Sequence, residues 1–94
     1  MIDQTTLHPV EILLVEDSPS DATLTIRSLE QSRFTNRVHW VEDGETAMEF
    51  LRQEGEHTQS PRPGLILLDL NLPGMNGREV LQAVKADLKL HDIP

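Results

Sequence analysis

The sequence contains no cysteine. That excludes a disulfide framework, a thiolate nucleophile and a Cys-ligated zinc, and it permits a reducing compartment, so the cytoplasm is the expected location. Basic residues are scarce, 8 against 16 acidic ones, for a formal net charge of -8. A general attraction to phosphate backbones or anionic lipid is therefore not expected, and neither nucleic acid nor membrane is a predicted partner. An acidic surface suits protein partners and cations better. Long apolar runs are also missing: nothing approaches the roughly 20 residues that span a bilayer, and MIDQTTLHPVE at the amino terminus lacks the basic flank and apolar stretch of a signal peptide. There is no repeat and no low-complexity tract. With 94 residues, of which 37% are apolar, the chain has material for one small domain and not for two. Residues 1–10 read as an extension, and 11–94 as the domain.

The apolar pattern changes period along that domain. ILLV at 12–15 and LILL at 65–68 are continuous β-favouring runs, as expected for strands covered on both faces, and VHWV at 38–41 is shorter and mixed. Between the first two, Ser18 offers an N-cap, Pro19 sits at the first helical position, and Ala22, Ile26 and Leu29 share one face. Between the second and third, Asp43 can cap a helix that packs Ala47, Phe50 and Leu51, with Gly55 placed to end it. After the third strand, Asn76 and Glu79 resemble a capping box in front of Val80, Val84 and Leu88. The segment EHTQSPRPG at 56–64 reads as a loop. Strands alternating with helices predict an α/β fold with a parallel sheet, because parallel neighbours need a crossover and the crossover helices cover the faces.

In open sheets of this kind polar chemistry gathers at the carboxyl ends of the strands, where strand order reverses. The first strand runs into Glu16 and Asp17, and the third into Asp69. A lone acidic residue after a strand is ordinarily a helix cap or a turn residue. Two neighbouring strands ending this way would bring three carboxylates together, raising one another's pKa values unless a cation lies among them. Closely spaced hard oxygens favour Mg²⁺, with Mn²⁺ as the alternative, over zinc. A carboxylate fixed beside such a cation can attack phosphorus in line and become an acyl phosphate. Asp21 reads instead as a first-turn residue favoured by the helix dipole. His8, His39, His57 and His91 are scattered and read as surface or filler positions.

EILLVEDSPSDATLTIRSLEQ together with LILLDLNLPGMNGREVLQAVK resembles the receiver domain of bacterial two-component response regulators. The runs EDSPSDATLTIRSLE, PRPGLILLDLNLP and KADLKLHDIP are most similar to the single-domain regulators paired with phytochromes. The resemblance implies a flavodoxin-like, doubly wound sheet, here β1-α1-β2-α2-β3-α3 with strand order 2-1-3. It implies that Asp69 accepts a phosphoryl group from a phosphohistidine on a sensor histidine kinase, of the phytochrome type in the nearest subgroup. Asp17 would ligate Mg²⁺ directly, Glu16 through water, and the backbone carbonyl of Asn71 would supply a further ligand. Pro73 and Gly77 match the turn after the phosphorylated strand. Asn76 stands where the family usually has aspartate, and Gly64 often has an acidic counterpart.

Receiver domains have five strands and five helices, and this sequence reaches only the point where the fourth strand would begin. The family's switch hydroxyl and its strand-five lysine have no counterpart in it. Three strands would leave the third with an open edge, so residues 1–94 alone are expected to be weakly stable and prone to self-association. A signalling module, not an enzyme, is the expected role, and a homodimer is among the assemblies it allows. Two other functions compete. An aspartyl-phosphate phosphotransferase or phosphatase usually carries a second acidic residue two positions after its nucleophile, and that position is Asn71. A receiver that docks partners without phosphorylation would not need acidic residues at both strand ends.

Overall fold

The computed structural model of the chain describes residues 9–32, 35–69, 72 and 74–94. His8, Asn71 and Pro73, named above, lie outside the described residues. Among the described residues three strands and three α-helices alternate: β1 (Val10–Val15), α1 (Pro19–Glu30), β2 (Asn36–Val41), α2 (Gly44–Arg52), β3 (Leu65–Leu68) and α3 (Gly77–Ala86). The strands form one parallel sheet in the order β2-β1-β3, as the resemblance implies. Leu14 pairs with Trp40 on one side and Leu67 on the other, and Val15 with Val41 and Leu68. This register aligns the carboxyl ends of all three strands.

Side chains alternate across the sheet, which divides the core in two. Leu13, Val15 and Val41 face α2 and α3 and join Ala47, Phe50, Val80 and Val84 in the main cluster. Ile12 and Leu14 point the other way, towards α1, whose Ala22 is fully buried. Each helix begins where its capping residue predicts. Ser18 Oγ accepts from the Asp21 amide at 3.3 Å, and Asp43 Oδ1 from the Thr46 amide at 2.7 Å. Asn76 and Glu79 close a reciprocal capping box.

Helix ends differ from expectation. The αL residue that terminates α2 is Gln53, at φ 57°, rather than Gly55. Gly55 opens a 3₁₀ turn, Gly55–His57, so 56–64 is not a plain loop. Ser60 Oγ donates to the Phe50 carbonyl at 2.6 Å, and Gln53 Nε2 to the Ser60 carbonyl at 2.6 Å, tying this segment to the end of α2. Leu88 does not continue the buried face of α3. The helix ends at Ala86, Leu88 is 90% exposed, and Leu90 takes the buried place. Asp87 causes this: its backbone turns extended, its Oδ1 accepts from the Lys89 amide at 2.8 Å, and its carbonyl accepts from Leu90 at 3.1 Å.

Two further expectations are corrected. All four residues of β3 are only half-buried, because β1 is its one strand neighbour among the described residues. His39 is no filler: its Nε2 lies 2.6 Å from Glu11 Oε2, linking β2 to β1. Its ring packs against Phe50 with centroids 5.3 Å apart, and His57 packs on the same phenyl ring at 5.6 Å.

Candidate phosphoacceptor and metal site

The hydrogen-bond ladder continues one residue past β1 and β3. The Glu16 amide donates to the Val41 carbonyl at 3.0 Å, and the Asp69 amide to the Val15 carbonyl at 3.1 Å. Rigid backbone thus delivers both residues to the same sheet end. Glu16, Asp17 and Asp69 each offer a carboxylate oxygen there, and these oxygens all lie within 4.8 Å of one another. Glu16 and Asp69 are half-buried and Asp17 is exposed. Glu16 and Asp69 line an open depression of about 400 Å³, with Leu14, Thr25 and Leu67 also in its wall. A larger groove beside Arg52, Arg62 and Asp87 contains none of the three carboxylates.

The electrostatics follow from this crowding. Burial pushes the Glu16 carboxyl above its ordinary range. The Ser18 amide, which donates to Glu16 Oε2 at 3.2 Å, opposes that shift, while the neighbouring Asp69 and Asp17 carboxyls reinforce it. Three anionic oxygens gathered in one place, with no thiol among them, fit a hard divalent cation bound through oxygen. Such a cation would neutralise the carboxylates and any phosphoryl oxygens brought beside them.

The predicted residues Glu16, Asp17 and Asp69 therefore meet, whereas the backbone carbonyl assigned to Asn71 lies outside the described residues. Gly77 is buried at the start of α3. Two supporting residues were not predicted from the sequence. Trp40, on β2, donates its indole N–H to the Glu16 carbonyl at 2.7 Å. Glu45, in the first turn of α2, accepts from the Met75 amide at 2.8 Å and so holds the segment preceding α3. Spacing gave no signal for either. A tryptophan in a strand reads as packing, and a first-turn glutamate as a partner of the helix dipole.

Comparison with known proteins agrees with this geometry. The model of the response regulator receiver domain matches residues 12–93, and the chain belongs to that family. It is 50% identical over 86 residues to the response regulator Rcp1 of Synechocystis sp., covering 92% of this chain and 58% of that protein. It is 44% identical over 87 residues to the probable methanogenesis regulatory protein FilR2 of Methanothrix harundinacea, covering 92% and 55%. The crystal structure of the Mn²⁺-bound form of Rcp1 superposes with a TM-score of 0.88, over 92% of this chain and 62% of that one. The phosphorylated cyanobacterial phytochrome response regulator RcpA, 48% identical, also gives 0.88, over 93% and 62%. The chain thus spans between half and two thirds of the length of these relatives.

Proposed function

We propose that residues 11–94 are the receiver part of a two-component response regulator, phosphorylated on Asp69 with Mg²⁺ at Glu16, Asp17, Asp69 and the Asn71 carbonyl. The observation that carries this reading is the meeting of three carboxylates from two strand ends within 4.8 Å. Asp17 and Asp69 bind the cation directly and Glu16 through solvent. The cation, when bound, offsets the negative charge of the carboxylates and of the incoming phosphoryl group.

Asp69 is the nucleophile because a strand end fixes it, half-buried, in the wall of an open depression. One of its carboxylate oxygens attacks phosphorus in line. The bond from phosphorus to the donor's imidazole nitrogen breaks, its electron pair returns to that nitrogen, and an acyl phosphate remains on Asp69. The donor is a sensor histidine kinase. Its similarity to RcpA, a cyanobacterial phytochrome response regulator, and to the bacteriophytochrome response regulator RtBRR supports a phytochrome kinase for this protein too. The module signals rather than turns over a substrate, acts in the cytoplasm, and needs neither nucleic acid nor membrane. Among the described residues, no helix is long and apolar enough to cross a membrane.

Incubation with acetyl phosphate and Mg²⁺ should give an acid-stable, alkali-labile adduct, detected as a mass increase of one phosphoryl group. Asp69→Asn keeps the shape and removes the nucleophilic charge, so the adduct should vanish. Full labelling of that variant would show that another residue is the acceptor.

A further inference from the structure

Trp40 occupies an unusual position for the chain's one tryptophan. It lies near the end of β2, an edge strand, opposite Leu14. His39 and Val41 face α2, so alternation turns Trp40 to the α1 side of the sheet. The side chain remains 37% exposed, and a purely apolar role would leave much of its area unused. Its indole N–H instead reaches across the end of β1 to the Glu16 carbonyl, at a short 2.7 Å.

That carbonyl belongs to the peptide joining Glu16 to Asp17, where the chain leaves the sheet. The Glu16 amide is already fixed by Val41 of the same strand β2. Both backbone polar groups of Glu16 are thus held by consecutive residues of β2, one through backbone and one through a side chain. Fixing the amide sets where Glu16 sits. Fixing the carbonyl sets the orientation of the next peptide plane, and with it the direction in which Asp17 leaves.

We infer that Trp40 is a positioning residue of the acidic site, orienting the Glu16–Asp17 peptide so that its two carboxylates face Asp69. This rests on the reading of the three carboxylates as a divalent-cation site. Asp17 most needs such help: it is exposed, so packing does not restrain it. Preorganising a ligand set strengthens binding by removing the cost of ordering it, and one net hydrogen bond corresponds to about fivefold in an equilibrium constant.

The test is Mn²⁺ affinity, measured by calorimetry on the folded chain and on Trp40→Phe, which keeps an aromatic ring and lacks the donor. Trp40→Phe should bind Mn²⁺ about fivefold more weakly, at a temperature where circular dichroism shows both proteins fully folded. A merely structural tryptophan would lower the unfolding midpoint and leave the affinity of the folded molecules unchanged. Should Trp40→Phe fail to fold, replacement of Trp40 by benzothienylalanine, with sulfur where the indole has N–H, carries the same comparison. Unaltered Mn²⁺ affinity in the donor-less protein overturns this inference and leaves the cation site standing. Absence of Mn²⁺ binding by the unaltered chain overturns the site and this inference together.

Discussion

Glu16 shows how burial and like-charged neighbours burden one side chain. Its pKa is raised, chiefly by burial and further by Asp69 and Asp17, so in the metal-free protein the folded state holds a proton that the unfolded state has released. Between the ordinary glutamate value and the raised one, the unfolded chain binds fewer protons, and stability therefore falls as pH rises through that window. A bound cation reverses the preference by favouring the ionised form. With chelator present, the urea midpoint should decline as pH rises through the raised pKa of Glu16, and Glu16→Gln should flatten the decline. Saturating Mg²⁺ should remove it. A wild-type curve that rises across the same window would show that Glu16 is not strained by its neighbours. The carboxylates themselves were legible in the sequence because two apolar strands both run into acidic residues, although either one alone would read as a cap or a turn residue. The residues that aim them were not, since the indole of Trp40 and the carbonyl of Glu16 meet only through the β1–β2 register.

Among the elements, beginnings were easier to read than endings. Ser18, Asp43 and Asn76 each accept from an amide three residues on, a local pattern visible in the sequence. Endings depend on what the chain does next. The spacing of Val80 and Val84 points on to Leu88, but Asp87 hydrogen-bonds to its own following turn and brings Leu90 inward instead. Gly55 does adopt a positive φ of 58°, two residues later than the helix end it was expected to mark. Gly44 has a role that only the packing reveals. A Cβ there would overlap the Met75 carbonyl oxygen and stand 2.9 Å from Val80 Cγ2. Its neighbour Glu45 holds the Met75 amide, so the first turn of α2 lies directly against the Met75 backbone. Gly44→Ala should therefore cost about 1–3 kcal/mol, the usual penalty of overpacking a close contact, despite the better helix propensity of alanine. Urea denaturation at neutral pH measures this; a variant as stable as the parent would mean that the segment before α3 shifts away freely.

At the scale of the whole molecule, the parallel sheet was foreseeable from the alternation of strands and helices, and the order β2-β1-β3 from the resemblance to receiver domains, but the burial of β3 was not. A continuous run such as LILL reads as a strand covered on both faces, and here all four residues stay half-exposed. Ile66 and Leu68 adjoin an apolar hollow completed by Val80, Leu81, Val84 and Ile93. The Ile66 amide is met by the Pro94 carbonyl at 3.0 Å, which leaves the rest of this sheet edge with few partners among the described residues. Exposed strand edges beside apolar surface promote pairing between chains. Against this acts a net charge of -8, which keeps copies apart over about 30 Å at 0.01 M salt but only about 10 Å at 0.1 M. A polypeptide of residues 1–94 should therefore self-associate more strongly as salt is raised, the reverse of an association driven by opposite charges. Leu81, 46% exposed at the rim of the hollow, can be changed without emptying the core. Leu81→Lys should shift the sedimentation equilibrium towards monomer at 0.1 M salt while leaving the circular dichroism spectrum unchanged. A wild-type chain that stays monomeric at both salt concentrations, at a hundred micromolar or more, would show that charge repulsion and the Pro94 contact suffice to protect the edge of β3.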